Sequence, residues 1–243
     1  MKIWLLGLWL LFVGNAAAVE YSTVKIENVP VTICRVDLRK ERLQLFHRDD
    51  KGQPFKRFSP LASWLEERGE KLIFAMNAGM YHGDFSAVGL FVAEGKQLVP
   101  LNTDDAEGNF FLKPNGVFAV TEKGGAVVET SDYPKLKEKV LLATQSGPLL
   151  VHRGKIHPAF KPTSDSRLFR NGVGVNSAHE VIFANSEAPL NLHEFARLFL
   201  DKLDCPNALF FDGTVSSLFS TELKRNDFRI DLGPMIGVTV PLK

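Results

Sequence analysis

The sequence predicts an α+β fold: one domain, a largely antiparallel or mixed β-sheet, and a few flanking helices. Three observations carry that prediction. Short apolar runs recur along the whole chain, most of them joined by turns of the hairpin kind. Helical periodicity occurs at only two places, far apart. The regular alternation of strand and helix that a doubly wound sheet requires is missing.

The elements follow in order. Lys2, an apolar run from Ile3 to Val13 and then Ala16, Ala17 and Ala18 read as a cleavable signal peptide over residues 1–18. The run is shorter than the roughly 20 apolar residues of a spanning helix, and no cysteine follows it to carry a lipid. The domain therefore occupies residues 19–243. Val31 to Leu38 and Arg42 to His47 read as paired strands about the turn Arg39–Glu41. Ser59 and Pro60 suit the N-cap and first position of a helix that presents Leu61, Trp64 and Leu65 and stops at Gly69. Lys71 to Met76 is a short apolar strand. Hairpin pieces follow around Glu94–Lys96 and around Glu122–Gly125, with Gly124–Gly125 as the turn signal of the second. Val140–Thr144 and Pro148–His152 continue the strands, and Gly172–Asn176 with Glu180–Asn185 forms another hairpin. Asn191 caps a helix over residues 192–203, Ala208–Phe211 is a buried strand ending at Asp212, and Gly237–Val240 closes the sheet.

Composition excludes several classes of function. The net charge is +1 over 243 residues, and Lys2 is the only charge before Glu20, so the domain itself is balanced. With no basic block or stripe, a nucleic acid is not the expected partner. No second long apolar segment exists, so no membrane span is expected after the leader. Cys34 and Cys205 are either a disulfide or two buried thiols; sequence leaves both open, because geometry decides it. Nothing in the sequence fixes an oligomeric state.

Chemistry is expected where polar residues follow buried strands. Asn77-Ala78-Gly79-Met80-Tyr81 is one such place, followed by His82, Asp84 and Ser86–Leu90; Asn-x-Gly is also ordinary turn chemistry. Arg167 and Arg170 ahead of Asn171-Gly172-Val173-Gly174 form the second. Their forks suit a phosphate or carboxylate, or equally a surface ion pair. The third is Phe211-Asp212-Gly213-Thr214-Val215-Ser216-Ser217. Its aspartate reads as a base, a metal ligand or a turn residue.

Taken in this order, the three segments resemble the phosphodiester glycosidase family, the family of uncovering-enzyme-like domains. That family runs from an apolar strand into Asn-Gly-Gly-Phe-Phe, then an arginine before a small-residue strand, then Leu-Asp-Gly-Gly-Gly-Ser-Ser. Closer still is an uncharacterised exported bacterial branch with Asn-Ala-Gly-Met-Tyr, Ser-x-Val-Gly-Leu and Gln-Ser-Gly-Pro-Leu-Leu, which stand here at residues 77–81, 86–90 and 145–150. The resemblance covers about residues 70–220. Ala78, Thr214 and Val215 depart from family glycines, and a bulkier loop there is expected to narrow the pocket.

The resemblance implies an exported hydrolase, periplasmic or secreted, that cleaves the glycosidic bond of a small or polymeric sugar-1-phosphodiester. The alternative is a non-catalytic module that binds carbohydrate or sugar phosphate in the envelope. Asp212 is the expected carboxylate, with Glu187 in reserve. Arg170 and Arg167 are expected at the phosphate, and Asn77, Gly79, Gly213, Ser216 and Ser217 along the substrate. No cofactor is required by that chemistry. A divalent cation such as Ca²⁺ would be an addition, with Asp84 and Asp212 as its candidate ligands and His82 nearby.

Overall fold

Three two-residue turns set the local order of this chain. Glu27 and Asn28, Glu94 and Gly95, and Arg153 and Gly154 all take positive φ, the pairing that a tight hairpin between right-twisted strands requires. In the computed structural model, which describes residues 19–242, these turns join strands in an almost wholly antiparallel β architecture. The signal peptide expected over residues 1–18 lies outside the described residues.

The strands begin with β1 (Val19–Ile26), β2 (Val29–Asp37), β3 (Leu43–Phe46), β4 (Glu70–Asn77), β5 (Phe91–Ala93) and β6 (Lys96–Val99). Next come β7 (Gly116–Thr121), β8 (Gly124–Glu129), β9 (Val140–Ser146), β10 (Leu149–His152), β11 (Lys155–Ile156) and β12 (Asn171–Ser177). The last are β13 (Glu180–Ser186), β14 (Asn207–Phe210), β15 (Leu218–Ser220), β16 (Arg225–Asn226) and β17 (Met235–Pro241). Two short helices accompany them, α1 (Phe58–Glu66) and α2 (Leu192–Arg197), the second running on into a π-helical turn at Leu198–Lys202.

The strands form three sheets. A seven-stranded sheet has the order β1-β2-β13-β12-β14-β10-β11; the two five-stranded sheets are β16-β15-β4-β17-β3 and β6-β5-β9-β7-β8. Side chains from all three meet in one core. Phe183 of the large sheet sits at its centre, with ring centroids 5.3 Å from Phe74 on β4 and 6.1 Å from Phe118 on β7. The other face of the large sheet is covered by α2 and its extension, where Ile33, Ile182, Ala208 and Phe210 pack against Phe195 and Phe199. Both faces of β2, β13 and β14 are thus dry, which explains their nearly unbroken apolar sequences. The helix α1 lays Phe58, Leu61 and Leu65 on the outer face of β4 and β17.

Several expectations need correction. β2 does not pair with β3: it lies between β1 and β13, and β3 belongs to another sheet, beside β17. The Glu27–Asn28 turn supplies the missed partner, β1. β9 and β10 also part company, one in a five-stranded sheet and the other in the seven-stranded sheet. The helix α1 begins one residue before Ser59, with Arg57 at the N-cap position and no side-chain cap. Gly124 and Gly125 lie in β8, not in the turn; a Cβ on Gly124 would stand 1.9 Å from the Ala178 carbonyl oxygen. The helical share is smaller than an α+β label suggests, and the described pairings are all antiparallel.

The cysteines are free. Cys34 points into the central core and Cys205 into the layer under α2, so the large sheet separates them. Burial pushes both thiols up, that of Cys205 to about 12. Among the described residues no helix is long and apolar enough to cross a membrane.

Candidate functional site

Polar residues interrupt otherwise apolar strands where β4, β9, β12 and β14 end. Asn77 closes β4, Ser146 closes β9, Asn171 opens β12, and Asp212 follows β14; the first three are buried. Buried amides must find partners or cost about 1–3 kcal/mol each. Here they find one another. The Asn171 amide nitrogen donates to Asn77 Oδ1, which also accepts from the Ser217 N–H at 3.1 Å. Asn77 Nδ2 donates to the Asp212 carbonyl at 3.2 Å, and the Asp212 N–H donates to Asn171 Oδ1 at 3.0 Å. Ser146 Oγ donates to the neighbouring Phe211 carbonyl at 2.7 Å. Four segments far apart in sequence are thereby tied around the main chain of Asp212.

The Asp212 carboxylate is left half-buried at the opening of this knot. Its Oδ1 accepts the Thr214 N–H at 3.1 Å, the turn contact that Asp-Gly sequences favour. Burial raises the carboxyl above its ordinary value, while that hydrogen bond and the Arg170 charge pull the other way. Arg170 is 1 % exposed and stretches beneath the loop. Its Nε donates to the Leu190 carbonyl at 2.9 Å and its Nη2 to the Ser166 carbonyl at 2.8 Å. No carboxylate lies within ion-pair distance of it among the described residues, so its charge is balanced only by carbonyl dipoles and the nearby Asp212. Burial pushes its guanidinium down to about 10. Gly213 makes this approach possible, since a Cβ there would meet the Phe169 carbonyl oxygen at 2.3 Å.

The remaining expected residues divide. Ser217 belongs to the knot through its N–H, while its hydroxyl donates to the Val215 carbonyl at 2.9 Å. Ser216 is 1 % exposed and its hydroxyl has no partner. Gly79 packs against β9, where a Cβ would stand 2.5 Å from Thr144 Oγ1. Asn77 is also almost wholly buried, and its contacts make it the tie between segments. Arg167 is not free for a phosphate: it pairs with Glu194 at 2.7 Å on the surface beside the capping box of α2. Glu187 is likewise committed, accepting from Thr32 Oγ1 at 2.6 Å and from Arg225 Nη1 at 2.5 Å. Asp84 accepts from the Ser86 N–H and hydroxyl within its own exposed loop, and His82 is exposed beside it. Among the described residues no group of three or more His, Cys, Asp or Glu side chains is disposed to hold a metal ion.

Sequence reasoning quoted Asn171, Ser146 and Tyr81 within motifs but gave them no role. The signal for the first two is a polar residue at the end of an otherwise apolar strand. Tyr81 donates to the Asp231 carbonyl at 2.5 Å; burial, with Asp212 and Asp231 nearby, pushes its phenol up to about 12. The Gln145 motif also acquires a role. The Gln145 side chain accepts from the Leu90 and Asn102 N–H groups at 3.0 and 2.9 Å and donates to the Asn102 carbonyl at 2.7 Å. It latches the segment that follows Asn77–Tyr81 onto β9.

A large groove of about 1350 Å³ lies elsewhere, between β3 and the sheet that holds β5 and β9, lined by Leu43, His47, Phe91 and Leu141 among others. It includes neither Asn77, Arg170 nor Asp212. Volume alone favours the groove, but the buried charge and the converging polar segments favour the knot.

Comparison with known proteins identifies the family. The model of the phosphodiester glycosidase family matches residues 70–238. The uncharacterised protein YigE of Escherichia coli K12 is 31 % identical over 204 residues, covering 84 % of this chain and 80 % of that protein. Among solved structures, the catalytic domain of zebrafish N-acetylglucosamine-1-phosphodiester α-N-acetylglucosaminidase, auto-inhibited by its pro-peptide, superposes with a TM-score of 0.64 at 13 % identity. That match covers 92 % of this chain and 84 % of the zebrafish one. A Burkholderia pseudomallei protein assigned to export superposes with a TM-score of 0.56 at 9 % identity, covering 86 % of this chain and 74 % of its own.

Proposed function

This chain belongs to the phosphodiester glycosidase family, and from that premise we propose that it is an exported hydrolase cleaving the glycosidic bond of sugar-1-phosphodiesters. One observation carries the reading: a half-buried carboxylate, Asp212, near a buried arginine that pairs with no acid among the described residues. A fixed cation without a contacting acid suits an anionic substrate, and a carboxyl raised by burial is a better base near neutral pH than an ordinary aspartate.

The chemistry follows from the leaving group. Asp212 accepts a proton from water as the water oxygen bonds to the anomeric carbon. The C1–O bond breaks, and its electron pair leaves with the phosphate monoester. That leaving group is weakly basic, so the second carboxylate of ordinary glycosidases is dispensable. Arg170 stabilises the charge gathering on the phosphate. Ser216, whose buried hydroxyl has no partner among the described residues, is assigned to the substrate in this reading.

The departures from the family motif do not argue against turnover. Thr214 is exposed, and Val215 turns away to pack among Phe58, Leu61 and Met235.

The test uses purified protein with α-N-acetylglucosamine-1-phosphate methyl ester, the glucose equivalent and p-nitrophenyl glycosides. Cleavage of the phosphodiesters alone is expected. Saturable binding without product would favour the non-catalytic envelope module, and cleavage of aryl glycosides alone would discard the phosphodiester reading. Export is tested by fractionating cells that express the full chain, with periplasm or medium as the expected location.

A further inference from the structure

A row of side chains at the same rim stands outside the chemistry above. Asn171, Asn185 and Thr32 are register partners across β12, β13 and β2. Each lies two residues from a central-core side chain (Val173, Phe183 and Cys34), so strand alternation puts all three on that face. Asn171 is spent on the knot. Thr32 leads through Glu187 to Arg225, whose other nitrogens clasp Asp227 at 2.7–2.9 Å. Asp227 Oδ2 accepts the Leu218 N–H at 3.1 Å, and the preceding N–H, that of Ser217, returns to Asn77. The bonds form an open chain whose two ends, Asn171 and Thr32, flank Asn185.

Asn185 is 2 % exposed, yet neither its amide oxygen nor its amide nitrogen has a partner. Every neighbour on its row is committed elsewhere. Such an amide costs stability that an apolar side chain would not. Its chemistry is specific: a neutral group with a donor and an acceptor side by side matches a hydroxyl. The Glu187 and Asp227 carboxylates share one cation, Arg225, so this cluster keeps a net negative charge that disfavours a phosphate. Arg170, which attracts one, lies by the same alternation on the opposite face of the sheet end, over Phe210.

We propose that Asn185 is a further substrate-binding residue, holding a hydroxyl of the glycosyl unit. The assignment rests on the sugar-phosphodiester reading above and gives it a direction. The phosphate lies toward Arg170, the sugar ring lies toward Asn185, and Asp212 stands between them at the bond to be broken.

The experiment compares the wild-type protein with Asn185→Leu, titrating each with inorganic phosphate, glucose 1-phosphate and N-acetylglucosamine 1-phosphate. Asn185→Leu is expected to weaken the sugar phosphates about tenfold, to leave inorganic phosphate unchanged, and to melt no lower than wild type. Equal affinities in the two proteins, or an equal loss for sugar phosphates and phosphate, would overturn the assignment. If Asn185→Leu does not fold, Asn185→Ser is used with the same readings. Asn185-dependent sugar binding without turnover would sink the hydrolase reading and leave this assignment standing. Turnover with a KM that Asn185→Leu does not change would do the reverse, and a wild-type protein that binds neither sugar phosphate would end both.

Discussion

Asp212 carries opposite consequences for activity and for stability. As the base, it must be ionised, so kcat/KM falls as pH drops through its raised value, above the ordinary aspartate range. Asp212→Asn is expected to lower kcat by about 10²–10⁴-fold and to abolish that acid limb. A variant as fast as wild type across the pH range would remove Asp212 from the mechanism. Stability runs the other way. The raised carboxyl binds its proton more tightly in the folded chain than in the unfolded one. Ionising it therefore costs stability as pH rises from the unfolded value to the folded one, and the cost is complete above that. Asp212→Asn, whose oxygen can still accept the Thr214 N–H, should melt at or above wild type at pH 7. The difference should vanish below about pH 4. Scanning calorimetry at the two pH values checks the sign.

The elements show what was legible and what was not. Strands with period-two patterns could be read directly, as at β5 with β6, where Gly95 marks the turn, and at β12 with β13, whose turn at Ala178 and His179 carries no glycine. The β1–β2 turn could not, because Glu27-Asn28 is a weak version of the Asn-Gly signal. Sheet membership was also hidden: a chain that leaves one sheet after β2 and enters another at β3 looks locally like a hairpin. At the site, the Asn77, Arg170 and Asp212 segments were recognisable by motif, but their burial and contacts were not, because burial is a property of the whole packing. Gln145 illustrates this: its motif was visible, its function as a latch was not. Gln145→Leu would strand the Leu90 and Asn102 N–H groups. A loss of about 1–3 kcal/mol is expected in denaturant unfolding, with faster amide exchange at both positions. Unchanged exchange at Leu90 would mean that the latch is not what holds this segment.

On the scale of the molecule, one core joins three sheets, so they should not melt separately. Far- and near-ultraviolet circular dichroism are expected to give coincident midpoints. Phe183→Ala, at the junction of the sheets, is expected to cost about 3–5 kcal/mol. Two resolved transitions would show that the sheets are only loosely coupled. The thiols offer an independent check: Cys34 and Cys205 should resist Ellman's reagent until the protein unfolds, and a reductant should leave the melting temperature where it was. The knot around Asp212 has a further consequence. Asn77 and Asn171 grip the peptide groups on either side of its Cα and leave the side chain alone. An anchor that never touches the reactive atoms lets a lineage replace the working group without redesigning its mount. On the proposed reading, a change of the Asp212 side chain alone should leave this loop seated where it is.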